Sequence, residues 1–328
     1  MTGLVSIWSV FNSVLAATQR IAFDRKVNAV ELEEPPIFII GHWRSGTTLL
    51  HELLALDDRF CFPNNLDTFI PYHFLVSSGV LRPLLRLLLP PKRPMDNMSV
   101  HVDSPQEDDF AIMLMGAPTH YRRMGFPHNR NEYFRWLDFQ NLDAGQQQQV
   151  ESSLKYFFQA LTYRHQKRLI VKSPPHTGRV AALARWFPGA KFVHISRHPY
   201  KVVPSTIRLW KIADDVHAFQ QPKYSDRDLL NYVNRCQSTL YQAYFRDREG
   251  LDSNQLIEVS FESLVNDPSA VIESIYQQLE LGDSNQVVDS VRDYFSQRKD
   301  HKLNRHDSSE IAEIIDQNWR PYMSNFGY

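Results

Sequence analysis

The chain is short of charge imbalance, of cysteine and of long uninterrupted apolar runs, and each shortage narrows its function. Its 36 Lys and Arg nearly cancel 37 Asp and Glu, leaving a formal net charge of −1. Nucleic-acid binders ordinarily carry a basic excess or patch, so no DNA or RNA partner is expected. Only two cysteines occur, Cys61 and Cys236, and they form no metal-ligand spacing. Reduced, buried thiols in a cytoplasmic protein are the expectation. The N-terminal stretch LVSIWSVFNSVLAATQRIAF lacks an early basic region and is broken by Ser6, Ser9, Asn12 and Ser13. It therefore reads neither as a signal peptide nor as a bilayer span, but as a helical extension over residues 1–33. A second apolar stretch, GVLRPLLRLLLPPKRP, is interrupted by arginines and prolines. It reads as a surface helix or lid, with peripheral membrane contact as the alternative. Repeats and low-complexity linkers are also missing.

What remains is an ordinary globular composition, 43% hydrophobic and 22% charged over 328 residues, and an alternating pattern. Four short apolar runs read as buried strands: Pro36–Ile40, Leu169–Lys172, Lys191–Ser196 and Gln255–Phe261. Each precedes a helix-like run, at Thr47–Leu56, Thr177–Phe187, Val202–Trp210 and Ala270–Leu281. Repeated strand-loop-helix units predict an α/β fold with a central parallel sheet flanked by helices. Residues 34–328 are read as one such domain. Within it, residues 57–150 fit the alternation badly and read as a helical or irregular insertion on the acceptor side. Val150–Tyr163 then reads as a long amphipathic helix returning to the sheet.

The loop GHWRSGTT follows the first strand and nearly reproduces the phosphate loop G-x-x-x-x-G-K-[ST], with Gly41, Gly46 and Thr48 in place. Thr47 occupies the lysine position, and the cation is Arg44 instead. Thr47 and Thr48 offer hydroxyls and helix-start N–H groups to an anion, and a guanidinium binds two oxygens at once. A second anion site is expected where the third strand ends in Arg197, with Ser205 eight residues on in the next helix. One nucleotide carrying a 5′ chain and a 3′-phosphate satisfies both. A kinase or other NTP-binding protein with a degenerate loop is the alternative, but position 47 lacks its lysine and no apolar run ends in an acid for magnesium. A non-catalytic nucleotide-binding scaffold is the other.

On these residues the chain resembles sulfotransferases that use 3′-phosphoadenosine-5′-phosphosulfate (PAPS), over roughly residues 34–268. RSGTTLLHELL, KSPPHTGR and the closing FGY look nearer the bacterial and tyrosylprotein branches than the cytosolic detoxifying one. The resemblance implies that Arg44, Ser45, Gly46, Thr47 and Thr48 bind the 5′-phosphosulfate end. It implies that Arg197 and Ser205 bind the 3′-phosphate, and that Phe261, with Glu262, lies beside the nucleotide. It further implies transfer to a hydroxyl acceptor by in-line displacement, 3′-phosphoadenosine-5′-phosphate (PAP) as product, and no metal.

Stabilising cations are expected at Arg44 and at Lys172, which ends a neighbouring strand. The base that takes the acceptor proton is less specified. The tyrosylprotein branch places a Glu where this chain has Asn65. Substitutes are Glu107 first, in the acidic helix start DSPQEDD with Asp108 beside it, then His73 and His176, with Asp67 nearby. Simple helix-dipole charge competes for Glu107 and Asp108. Trp43 is read either as an acceptor wall or as packing, and Lys302 and Arg305 as further 3′-phosphate contacts. The aromatics and leucines of residues 62–91 point to a lipid, aromatic, glycoside or carbohydrate hydroxyl.

Overall fold

Four consecutive apolar residues, Ile37-Phe38-Ile39-Ile40, form strand β1, and none of their side chains reaches solvent. A strand buried on both faces belongs at the centre of a parallel sheet. In the computed structural model, which describes residues 2–88, 101–297 and 309–328, β1 is indeed central. The other strands are β2 Phe60–Cys61, β3 Arg168–Lys172, β4 Lys191–Ser196 and β5 Leu256–Ser260. They run parallel in the order β2-β3-β1-β4-β5.

Side chains along β1 alternate between two cores. Phe38 and Ile40 join Phe157, Phe158 and Phe192 on one face. Ile37 and Ile39 join Leu50, Leu53, Ile272 and Ile275 on the other. Helices therefore cover both faces, as the alternation predicts.

The order of crossing positions the site. From β1 the chain moves to β2 and β3 on one side, then crosses to β4 on the other. The crevice outside the C-terminal ends of β3, β1 and β4 is thus a topological switch point, where open α/β sheets bind their ligands. Register sets Ile39 beside Lys172 and Ile40 beside His194, so the three strands end close together.

The structure departs from expectation in three places. The insertion supplies a fifth strand, β2, at the sheet edge beside β3; two residues are too few to show a periodicity. The helix expected over Thr177–Phe187 is a 3-10 turn, Pro174–Gly178, followed by a helix Val180–Trp186. The turn starts with two prolines, which lack amide donors and fix φ. A 22-residue helix, Asp226–Asp247, packs on the first core unannounced by the sequence. Cys61 and Cys236 are both buried free thiols.

The N-terminal helix Thr2–Asn28 is fastened by its second half. Asp24 accepts from Tyr156 Oη at 2.8 Å, and Gln19 Oε1 accepts from the Leu75 amide at 2.8 Å. Among the described residues no helix is long and apolar enough to cross a membrane.

Candidate active site

The loop between β1 and the helix Thr47–Leu54 depends on two glycines. Gly46 has φ 108°, and a Cβ there would lie 2.4 Å from Phe261 Cδ2. Gly41 has φ 146°, and a Cβ there would lie 2.5 Å from the Ile195 carbonyl oxygen. Its amide donates to Thr177 Oγ1 at 2.7 Å, and the next amide, of His42, donates to Tyr241 Oη at 3.3 Å. Arg44 is the loop's unusual residue, left-handed at φ 70° without being glycine. Conformations of this kind cluster at ligand sites, held by the surrounding structure. Here the Arg44 carbonyl accepts from Arg197 Nη1 at 3.2 Å, and its Nε donates to Ser205 Oγ at 2.9 Å. Ser45 Oγ is buried with no hydrogen-bond partner among the described residues. Gly46→Ala is expected to cost about 2 kcal/mol or more through backbone strain and the clash with Phe261. A shift in the urea midpoint of unfolding measures it.

Arg197, just beyond β4, is fixed at its backbone by one hydroxyl. Tyr322 Oη accepts from the Arg197 amide at 2.9 Å and donates to its carbonyl at 3.1 Å. The guanidinium lies 4.0 Å over the Phe261 ring, and its buried Nε has no partner among the described residues. Burial lowers the Arg197 pKa, Glu262 opposes that, and Arg44 adds to the fall. Glu262 is occupied in accepting from the His198 amide and from Tyr328 Oη. The sequence suggested that Arg197 and Ser205 converge on one phosphate, and no direct contact between them was expected. In the structure Arg44 bonds to both of them.

On the β3 side two stretches separated in sequence engage residue by residue. Glu107, Asp108 and Asp109 meet Lys172, Ser173, His176 and Arg179. Lys172 Nζ donates to Glu107 Oε1 at 2.6 Å. Asp108 accepts from Ser173 Oγ at 2.7 Å and lies 2.8 Å from His176 Nε2. Arg179 Nη1 donates to Asp109 at 2.6 Å with both side chains wholly buried. Burial alone would raise the Asp108 pKa, but the charge and hydrogen bond of His176 and the Ser173 hydroxyl bring it below the usual value. Breaking one partner of a buried pair is strongly destabilising, so these contacts hold the helix Asp108–Leu114 firmly on β3. Glu107 sits at the N-cap of that helix, the one partly exposed carboxylate of the three. Its Oε2 also accepts from Tyr121 Oη, which accepts from Trp43 Nε1 at 2.8 Å.

Other sequence-selected residues lie elsewhere. Asp108 and His176 are enclosed and bonded to each other, not turned toward an acceptor. His73 Nδ1 is 2.7 Å from Ser77 Oγ in the helix it precedes, and burial lowers its pKa. Asp67 is buried against Arg164 at 2.8 Å, with its pKa raised to about 6 by burial, which Arg164 opposes. Trp43 is a buried packing residue among His42, His120 and Trp210, besides its bond to Tyr121. Asn65 accepts from Gln106 Nε2 at 2.8 Å and so braces the residue before Glu107. Lys302 and Arg305 lie outside the described residues. Tyr121, Tyr322 and Thr177 were not anticipated: each lies on an element whose contact with the site only the tertiary fold decides. Among the described residues no group of His, Cys, Asp or Glu is arranged to hold a metal ion.

A glycine-dependent loop and two arginines thus lie at the switch point of a parallel sheet in an α/β protein. Residues 35–285 match the profile of the sulfotransferase family. The omega-hydroxy-beta-dihydromenaquinone-9 sulfotransferase Stf3 of Mycobacterium bovis is 36% identical over 329 residues, spanning 99% of this chain and 83% of that protein. The same enzyme of Mycobacterium tuberculosis matches to the same extent. The fold is also that of sulfotransferase STF9 from Mycobacterium avium, with a TM-score of 0.72 at 19% identity over 95% of this chain and 81% of that one. STF1 of M. tuberculosis gives 0.67 at 17% identity, over 94% and 81%. The chain belongs to the sulfotransferase family and is a transferase enzyme, which sets aside the kinase and scaffold alternatives.

Proposed function

We propose that the protein moves the sulfuryl group of PAPS to a hydroxyl on a large, lipid-like acceptor. The observation that carries this reading is the linkage Arg197–Arg44–Ser205 across the ends of β4 and β1. It sets two permanent cations side by side, and among the described residues no carboxylate is bonded to Arg197, an arrangement suited to two phosphate groups. The nucleotide fits the residues present. Ser45 Oγ and Arg197 Nε are buried donors with no partner among the described residues, and the glycines leave the backbone open to close approach.

In this reading the loop residues Arg44–Thr48 hold the 5′-phosphosulfate end. Arg197 and Ser205 hold the 3′-phosphate, and Phe261 is the platform under Arg197. When bound, PAPS supplies an already activated sulfuryl group. Lys172 and Arg44 stabilise charge that develops on the sulfuryl oxygens and the leaving phosphate. Glu107 takes the acceptor proton onto its carboxylate, oriented by Tyr121 and held beside Lys172. Asp108 and Asp109 position it by anchoring its helix. The acceptor class follows the Stf3 relatives, whose name gives a hydroxylated dihydromenaquinone. It agrees with the apolar side chains next to Glu107, where Phe110 and Tyr121 stack with ring centroids 4.3 Å apart.

A thermal-shift titration tests the donor site. PAP at about a hundred times its dissociation constant should add about 2.7 kcal/mol to stability by mass action. ADP should add much less, because it lacks the 3′-phosphate. Arg197→Ala should remove most of the PAP response. Stabilisation by magnesium-ATP in preference to PAP, or by neither, overturns the reading.

A further inference from the structure

The N-terminal helix carries two apolar faces, and the domain covers only one. Gln19, Phe23 and Val27 turn inward, buried or partly buried. Val10, Val14, Ala17 and Ile21 recur at helical spacing on the opposite side, where Ile21 is 90% exposed. Trp8 and Phe11, also exposed, form an aromatic pair at the outer end, with ring centroids 5.4 Å apart. The adjoining helix Phe74–Leu88 repeats the pattern. Val80, Leu84 and Leu87 are spaced as one outward stripe, and Val80 and Leu87 are 79% and 84% exposed. The two helices touch, at Gln19 of the first and Leu75 of the second, and so form one region of the molecule.

We infer that this region docks on the surface of an anionic phospholipid bilayer, the helices lying in the interface without crossing it. Charge distinguishes a bilayer from a second copy of the chain. Residues 8–28 and 69–87 contain Arg20, Arg25, Lys26, Arg82 and Arg86 against the single acid Asp24, although the whole chain is nearly neutral. Asp103, which pairs with Arg82 and Arg86, offsets only part of this excess. A two-fold interface would set the cations against their own copies, whereas an anionic lipid surface attracts them. Apolar stripes with exposed aromatics and flanking Arg and Lys are the composition of interfacial helices. Docking this region would bring the insertion, which carries Glu107, toward acceptors dissolved in lipid.

Co-sedimentation with vesicles tests the inference, since it needs neither nucleotide nor acceptor. Vesicles of phosphatidylcholine with phosphatidylglycerol should retain the protein at least about tenfold better than phosphatidylcholine alone, and added salt should weaken the retention. The double variant Ile21→Glu/Leu87→Glu should lose the retention while keeping the PAP thermal shift, which shows that its fold and donor site survive. Equal retention of variant and wild type overturns the proposal, as does failure of the wild type to bind vesicles. A lipid-free dimer that the double variant dissolves into monomers assigns the stripes to a second copy and likewise overturns it. A wild type that binds vesicles without responding to PAP would leave this inference standing and refute only the donor assignment.

Discussion

Between pH 7 and pH 5 the protein is expected to lose most of its stability. Among the described residues four of the fully buried histidines are held neutral. Burial lowers His42 to about 4, with a bond to the Trp43 carbonyl opposing. It lowers His51 to about 3, with Lys172 adding to the fall. His120 and His194 also fall to about 3 by burial, each with arginine charge nearby. The unfolded chain protonates all four near the ordinary value of about 6.5, whereas the folded chain does not until the pH is far lower. The unfolded state therefore binds more protons through this window, and stability falls as the pH falls. Each histidine contributes a loss of about 2 kcal/mol by pH 5, or roughly 8 kcal/mol together. Asp67 acts in the opposite sense, because its raised pKa of about 6 relieves a neutral-pH penalty of about 1 kcal/mol as it protonates. The net loss is comparable to the whole stability of a typical domain, about 5–15 kcal/mol. Urea unfolding at pH 7, 6 and 5 measures it, and a midpoint unchanged across that range would refute the buried-neutral assignment. His194→Phe should flatten the dependence by one histidine's share. Its ring already stacks between Tyr244 and Phe326, at centroid distances of 4.6 and 4.8 Å, so an aromatic replacement keeps the packing.

The two halves of the site were legible in the sequence to different degrees, for a physical reason. The donor side is local. A strand, a glycine loop and a helix start occupy a dozen consecutive residues, and Arg197 and Ser205 lie within one more such unit. Period, turn chemistry and helix-start preference act over that range, so GHWRSGTT and RHPYKVVPST could be read directly. The four main strands were legible for the same reason, while β2 was too short to show a pattern. The acceptor side is assembled over distance. Glu107 and Lys172 are 65 residues apart, and Asp109 and Arg179 are 70. No local rule couples DSPQEDD to KSPPHTGR, and a run of acids at a helix start is equally compatible with dipole stabilisation alone. The structure shows that the three acids have separate partners. Two are committed to buried bonds, one of them to His176. Tyr121 carries no sequence signal, because its bond to Glu107 depends on how the insertion folds back over β3.

Replacing Glu107 by glutamine is expected to lower turnover by about 10²- to 10⁴-fold, the range for loss of a general base, while leaving PAP binding unchanged. The amide keeps the shape of the carboxylate and can still accept from Lys172 or Tyr121, but it cannot take a proton. Lys172→Met should also lower turnover, for a different reason, since it removes charge stabilisation for the sulfuryl oxygens. It also leaves Glu107 without its close cation, so the two changes share a contact and should not add. Tyr121→Phe separates orientation from proton transfer. It keeps the ring on Phe110 and the base itself, so its loss should be smaller than that of Glu107→Gln. The assay is PAP release in the presence of a hydroxylated menaquinone, with the thermal shift by PAP as the control for folding. Turnover by Glu107→Gln within tenfold of wild type would place the base elsewhere. His73 would then be the next residue to test, because His176 is already bonded to Asp108 in a closed, fully buried pair. A loss of both turnover and PAP response would instead show that Glu107 supports the donor site through Lys172, and the double substitution with Lys172→Met would then be no worse than either single change.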